Sequence, residues 1–122
     1  MTFIIAQTKT TPYAEFKDGY LVIKGKSVPF EYPEIYDIIN DRLEVYSKVS
    51  SKIAHVDFYL SVVNAISKRY IFNTFKLLEK LGKQGTNIKV NWFYHKDNED
   101  IQELGEICQS NFRINVQLKE ML

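Results

Sequence analysis

The sequence predicts one α/β domain in which an N-terminal β-hairpin is followed by the order α-β-α-β-α-β, with helices packed on a mixed sheet. Two β-rich runs that flank Asp18-Gly19 indicate the hairpin, because this pair adopts the positive φ angles of a tight turn. After it, apolar residues at helical spacing alternate with apolar runs at strand spacing. With 122 residues, 45% of them hydrophobic, a single domain over 1–122 can bury a core.

Each element has its own local signal. Pro33 favours a helix start directly after it, and Asn64 and Asn98 are good N-cap residues. The strand over 55–63 has large or apolar residues on both faces, which predicts a central strand with both faces largely covered. One face carries Val56, Phe58, Leu60 and Val62, and the other carries Asp57, Tyr59, Ser61 and Val63. The predicted elements are hairpin strands over 13–16 and 20–24, a connector over 25–33, helices over 34–46, 65–83 and 98–109, and strands over 55–63, 87–95 and 111–118.

Charge and cysteine content exclude several classes of protein. The chain has 16 basic and 15 acidic residues, a net charge of +1, which argues against binding to nucleic acid. A single cysteine cannot form an internal disulfide, so a reducing compartment is indicated. The N-terminus lacks the pattern of a signal peptide, and no window of 18 residues is continuously apolar. We therefore expect a cytoplasmic protein without membrane insertion.

The residues that could carry chemistry do not form a known motif. The glycines show neither phosphate-loop nor dinucleotide spacing, so no nucleotide cofactor is expected. No metal site is expected either, because parallel strands would place His55 and His95 about 25 Å apart. Cys108 extends an apolar helical stripe and is interpreted as a small buried side chain. His55 and Asp57 share a strand face, and this pair leaves open the alternative of a small enzyme or ligand-binding domain.

The junction over 64–69 is the best candidate for a functional site. It lies where a central strand enters a helix, and open α/β sheets commonly place function there. Free N–H groups of the first turn would stabilise a phosphate on Ser67, and Asn64, Ser67, Lys68 and Arg69 would contact a partner. A purely structural interpretation also fits, in which Asn64 caps the helix, Ser67 satisfies first-turn donors and the two basic residues are solvated.

Four segments of the sequence carry features that recur together in a known family. They are Gly25, Ser27 and Pro29 in a Gly-x-Ser-x-Pro segment, the helix aromatics Tyr36 and Tyr46, Asn64 at a helix start, and the run VNWFYHKDNEDIQELGE over 90–106. On these features the sequence resembles the SiaC-type regulatory phosphoproteins over nearly its whole length, and the run over 90–106 is the most specific match.

The resemblance implies a STAS-like fold without enzymatic activity. Members of this family act in a partner switch: a kinase phosphorylates them and a phosphatase reverses the modification. The unmodified form binds and activates a diguanylate cyclase, which raises cyclic di-GMP and promotes biofilm formation. The same three protein partners are therefore expected for this chain.

The chain departs from the family at the phosphate acceptor. The family acceptor directly follows the Asn at the helix start, and Ala65, which has no hydroxyl, occupies that position. Only Ser67 retains a hydroxyl in this stretch. Two hypotheses follow: either Ser67 takes the phosphate at the same helix terminus, or the switch is lost and the protein binds its partner constitutively.

Overall fold

A six-stranded mixed sheet and three helices make up the computed structural model, which describes residues 2–49 and 54–122. The predicted order of a hairpin followed by α-β-α-β-α-β is confirmed. The elements are β1 (Phe3–Ile5), β2 (Tyr13–Lys17), β3 (Tyr20–Ser27), α1 (Glu34–Val49), β4 (Ala54–Val63), α2 (Ala65–Lys83), β5 (Ile88–His95), α3 (Glu99–Asn111) and β6 (Asn115–Met121).

The strands lie in the sheet in the order in which they occur in the chain, from β1 to β6. The first three strands pair antiparallel, and β3 to β6 pair parallel. Gly19 forms the hairpin turn with a φ of 75°. Each helix connects one parallel strand to the next in the same direction across the sheet. Since such crossovers are right-handed, all three helices lie on the same face.

Three of the observed strands were not predicted or differ from their predicted bounds by more than two residues. The short strand β1 was not predicted, because three residues are too few for a periodic signal. Strand β3 continues to Ser27, into the predicted connector, because its pairing with β4 continues past an irregularity between Gly25 and Lys26. Strand β6 begins at Asn115 rather than at residue 111, because α3 extends to Asn111.

The helices cover only one face of the sheet. This corrects the expectation that both faces of β4 are largely covered. The helices pack on the face that carries Val56, Phe58 and Trp92, all fully buried. The opposite side, which we call the open face, carries half-buried or exposed side chains apart from the buried Asp57. These include Tyr20, Val22, Lys24, Lys26, His55, Tyr59, Val62, Lys89, Phe93 and Lys119.

A register shift in β4 explains the position of Val62. Gly25 pairs with Leu60, whereas the next residue of β3, Lys26, pairs with Val62, so Ser61 is the extra residue of a bulge. An added residue reverses the alternation of side chains beyond it. Val62 was predicted to share a face with Leu60, but Leu60 is buried whereas the side chain of Val62 is 47% exposed.

Candidate functional site

Asn64 joins the start of α2 to a segment from the beginning of the chain. As predicted, it caps the helix: its side-chain oxygen accepts a hydrogen bond from the backbone N–H of Ser67 at 2.9 Å. Its amide Nδ2 donates to the carbonyl oxygen of Pro29 at 2.8 Å, and its backbone N–H donates to the carbonyl oxygen of Ser27 at 3.2 Å. One residue therefore holds the helix terminus against the Gly-x-Ser-x-Pro segment.

Three hydroxyl groups form a buried cluster beneath this junction. The Ser27 and Tyr36 hydroxyls are hydrogen-bonded at 2.6 Å, Tyr36 and Ser67 at 3.2 Å, and Ser27 is also bonded to Ser67. All three side chains are almost completely excluded from solvent. Burial raises the pKa of Tyr36, while its bonds to the two serines act in the opposite direction.

The involvement of Ser27 and Tyr36 in the site was not predicted from the sequence. Both were recognised as family features, yet no local pattern connects them to Ser67, which lies 40 residues after Ser27 in the chain. The available signal was the family motif itself, in which a serine sits between Gly25 and Pro29. The structure shows that this serine fills the space under α2.

The predicted site residues divide into one buried and several accessible side chains. Ser67 is 0% exposed, whereas Ala65, Lys68 and Arg69 are exposed and Asn64 is half-buried. A phosphate on Ser67 would carry nearly two negative charges into the buried hydroxyl cluster, and a kinase would need that cluster to open first. The position that faces solvent at the helix start is occupied by Ala65.

Two exposed aromatic residues stand next to the first turns of α2. Phe30 is 84% exposed and Tyr32 is 58% exposed, in a loop bounded by two prolines at 29 and 33. The Tyr32 ring contacts the Tyr70 ring of α2 edge to face, with 5.5 Å between the ring centroids. The hydroxyl of Tyr32 donates to Asp37, and this bond raises the pKa of Tyr32 to about 12. No periodic pattern signalled these rings, because they lie outside helices and strands.

We call this region the α2 surface. It combines aromatic, aliphatic and basic side chains, a composition that is common at the energetic centres of protein interfaces. The α2 surface consists of Phe30, Tyr32, Ala65, Ile66, Lys68 and Arg69.

His55 and Asp57 lie together on the open face, where neighbouring residues hold them. The carboxylate of Asp57 accepts hydrogen bonds from the hydroxyl of Tyr20 and from Nδ2 of Asn91, the latter at 2.9 Å. The bond to Asp57 raises the pKa of Tyr20. The His55 ring stacks on Tyr20, with 6.3 Å between the ring centroids. Asp57 is thus bonded to a tyrosine and an amide, which suits a structural role.

The remaining metal and thiol candidates are separated in the fold. His55 pairs with Lys89 of β5, and His95 lies six positions further along that strand, about 20 Å away. Within residues 2–49 and 54–122, no group of three or more His, Cys, Asp or Glu side chains could hold a metal ion. Cys108 is fully buried, as predicted, and burial raises the pKa of its thiol to about 12. None of the helices in the described ranges is long and apolar enough to cross a membrane.

Comparisons with known proteins find one matching family. The model of the family described as SiaC family regulatory phosphoprotein matches residues 5–121. An uncharacterized protein of Pseudomonas aeruginosa strain UCBPP-PA14 is 26% identical over 104 residues, which cover 84% of this chain and 82% of that protein.

Two solved structures from Pseudomonas aeruginosa have the same fold. One is the crystal structure of the diguanylate cyclase SiaD in complex with its activator SiaC. It has a TM-score of 0.89 and 22% identity, and the match covers 98% of this chain and 99% of the other. The second is apo-SiaC, with a TM-score of 0.86 and 21% identity, and the match covers 98% of both chains.

Proposed function

The chain belongs to the SiaC family of regulatory phosphoproteins, and from this membership we propose that it is a cytoplasmic, non-enzymatic adaptor that binds and activates a diguanylate cyclase. The observation that carries the proposal is the α2 surface, an accessible group of aromatic and basic side chains on a fixed helix terminus. The likeness to a SiaC activator in complex with SiaD supports the choice of partner.

The α2 surface suits protein binding because its backbone and the Tyr32 ring are held in place before a partner arrives. Asn64 fixes the first turn of α2 against Pro29, and Tyr32 contacts Tyr70 of the same helix. Side chains that are already ordered lose little conformational entropy on association. Lys68 and Arg69 add positive charge next to the two exposed rings, and this charge would favour an acidic patch on the cyclase.

Of the two hypotheses for the phosphate switch, we propose that the switch is lost and that binding is constitutive. Ala65 faces solvent at the position of the family acceptor but has no hydroxyl to modify. Ser67 has the hydroxyl but is fully buried and bonded to Ser27 and Tyr36. Affinity and protein concentration would then control the cyclase, without the change of charge that phosphorylation provides.

The test is a diguanylate cyclase from the same genome, assayed for cyclic di-GMP formation with and without this protein. We expect the rate to rise with added protein to a plateau. The double variant Lys68→Glu/Arg69→Glu should need at least about tenfold more protein to reach half of that plateau. The matched control is Lys80→Glu/Lys83→Glu, which reverses two exposed charges at the other end of α2 and should behave as wild type.

An unchanged cyclase rate at saturating protein would refute the adaptor proposal for that cyclase. An equal loss in both double variants would show that net charge acts, rather than the α2 surface. For each variant, the circular dichroism spectrum and melting temperature should match the wild type, which establishes that the fold is intact.

A further inference from the structure

A row of aromatic and basic side chains crosses the open face from β2 to β6. Lys24 pairs with Tyr13 on one side and with Tyr59 on the other, and Phe93 pairs with Lys119. Tyr59 and Phe93 follow the paired residues Phe58 and Trp92, and their rings are in contact. The row therefore runs through Tyr13, Lys24, Tyr59, Phe93 and Lys119.

The rings of this row are turned toward their neighbours in the sheet. Tyr59 and Phe93 stack with 4.2 Å between centroids and an interplanar angle of 6°. The ammonium of Lys119 lies 5.8 Å from the centroid of Phe93, and that of Lys24 lies 5.1 Å from the centroid of Tyr13. A nucleotide base stacks on a free ring face, and each of these three rings already has a face engaged by another ring or by an ammonium group.

The open face is positively charged although the whole chain is nearly neutral. Its two carboxylates are already bonded: Glu15 to Tyr13 and Lys17, and Asp57, which is 4% exposed, to Tyr20 and Asn91. Five lysines lie on the described strands of this face, namely Lys17, Lys24, Lys26, Lys89 and Lys119.

The helices on the other side of the sheet differ from one another in charge. Helix α3 has four acidic residues and no basic one, α1 has four acidic and two basic residues, and α2 has one acidic and five basic residues. A locally basic face such as the open face selects partners by sign and steers their approach.

The open face also has an apolar component. Val62 is 47% exposed because of the bulge at Ser61, Ile4 is 54% exposed, and Val22 is half-buried next to the row. Apolar and aromatic contacts surrounded by charged groups are the usual arrangement of a protein interface. Lysine ammonium groups at the margin would pair with carboxylates, and the valines would contact aliphatic side chains.

We propose that the open face is a second docking surface, which binds an acidic protein segment whose Asp and Glu residues are interspersed with aliphatic or aromatic ones. The match of charge decides the occupant: a partner with carboxylates is attracted, whereas a second copy would bring another set of lysines if it docked through the same face. This surface lies on the opposite side of the sheet from α2. The proposal is therefore independent of cyclase binding by the α2 surface.

The test is an NMR titration of the ¹⁵N-labelled full chain with a synthetic peptide in which Glu alternates with Leu and Phe. We expect saturable shifts of amides in β3, β4 and β5 and weaker binding as salt is added. The variant Lys24→Glu/Lys119→Glu should bind at least about tenfold more weakly. The control variant Lys76→Glu/Lys80→Glu, on exposed positions of α2, should bind as wild type.

Two further probes decide between kinds of occupant. A peptide with Lys in place of Glu should cause no saturable shift, and neither should a single-stranded oligothymidylate. The proposal is overturned if the acidic peptide causes no saturable shift up to about 1 mM, or if its shifts map to the helices. It is also overturned if the oligothymidylate binds the open face more tightly than the acidic peptide.

Discussion

A Cβ atom on Gly105 would lie 2.3 Å from Cδ1 of Trp92, far inside the normal contact distance. It would also lie 2.7 Å from Cδ2 of Leu118. The Trp92 indole is fully buried under α3, and its Nε1 donates to the carbonyl oxygen of Ile101 at 2.8 Å. The glycine allows α3 to lie directly on the tryptophan, which gives a physical reason for the Glu-x-Gly-Glu segment of the sequence.

Replacement of Gly105 by alanine should destabilise the fold. The added methyl group must displace Trp92 or lift α3, and overpacking of this kind costs about 1–3 kcal/mol. Urea unfolding followed by tryptophan fluorescence measures the change in the free energy of unfolding. The matched control is Gly82→Ala in α2, where a Cβ would be 3.8 Å from Ile114 and helix propensity favours alanine by up to about 1 kcal/mol. Equal stability of Gly105→Ala and wild type would contradict this account.

Two variants of Asn64 should separate its two roles. Asn64→Ser keeps a capping oxygen but loses the donor to Pro29, at a cost of about 0.5–1.5 kcal/mol. Asn64→Ala loses the cap as well, which adds about 1 kcal/mol. Thermal unfolding by circular dichroism should therefore rank wild type, serine and alanine in order of decreasing stability. If serine proves as damaging as alanine, the cap contributes nothing measurable.

The phosphate-acceptor position at residue 65 allows a test of the proposal that the phosphorylation switch is lost. Incubation with the cognate kinase should leave the wild-type mass unchanged, because Ala65 lacks a hydroxyl and Ser67 is buried. The variant Ala65→Thr places a hydroxyl at an exposed first-turn position and should gain the mass of one phosphate group. Intact-mass spectrometry measures both, with Ser67→Ala as the control. A modified wild type whose phosphate disappears in Ser67→Ala would instead support Ser67 as the acceptor.

The free energy of unfolding should fall as the solution becomes alkaline. The thiol of Cys108 should be the first group to contribute to this loss as the pH rises. Folding raises the pKa of its thiol from 9.0 to about 12, so the unfolded chain loses this proton at lower pH than the folded one. The stabilising contribution is complete below pH 9 and is lost toward pH 12, by up to about 1.4 kcal/mol per pH unit. Folding also raises the pKa values of Tyr20 and Tyr36, and these groups add to the loss above pH 10.

The measurement is urea unfolding at several pH values for wild type and Cys108→Ala. The alanine variant is expected to be less stable overall, because it leaves a small cavity in the core. Between pH 9 and 10, its stability should nevertheless decline less steeply than that of the wild type. Parallel curves for the two proteins would show that another group causes the decline.

The alternative of a small enzyme or ligand-binding domain is tested through His55 and Asp57. His55→Ala should leave cyclase activation unchanged. Asp57→Ala should cost about 1–3 kcal/mol, because Tyr20 and Asn91 lose a shared acceptor. Asp57→Asn is the milder control, since an amide oxygen can still accept from Tyr20. A loss of function in His55→Ala at unchanged stability would favour the alternative.

Much of the fold could be predicted because its signals are local. The turn at Gly19 and the caps at Asn64 and Asn98 each depend on residues within one turn of the chain, and all three are present in the structure. The resemblance to SiaC-type proteins, drawn from short motifs, is confirmed by the family match. Strand β1 and the extension of β3 were missed because these segments are defined by their pairing with β2 and β4. A periodic pattern of apolar residues does not mark them.

The site was only partly predictable. The sequence identified Asn64 as the cap of α2 and Ala65 as the residue at the acceptor position, because both follow from order along the chain. It did not indicate that the rings of Phe30 and Tyr32 are exposed. These residues lie in a loop between prolines, and a loop has no periodic pattern from which exposure can be predicted.

The sequence by itself determined every element except β1, the order of these elements, the helix caps and the family, since each is encoded in neighbouring residues. Tertiary structure alone decided that Ser67 is buried with Ser27 and Tyr36, that Val62 turns outward, and that one face of the sheet is uncovered and basic. These outcomes depend on contacts between residues that are 9 to 40 positions apart, which form only when the strands and helices pack together.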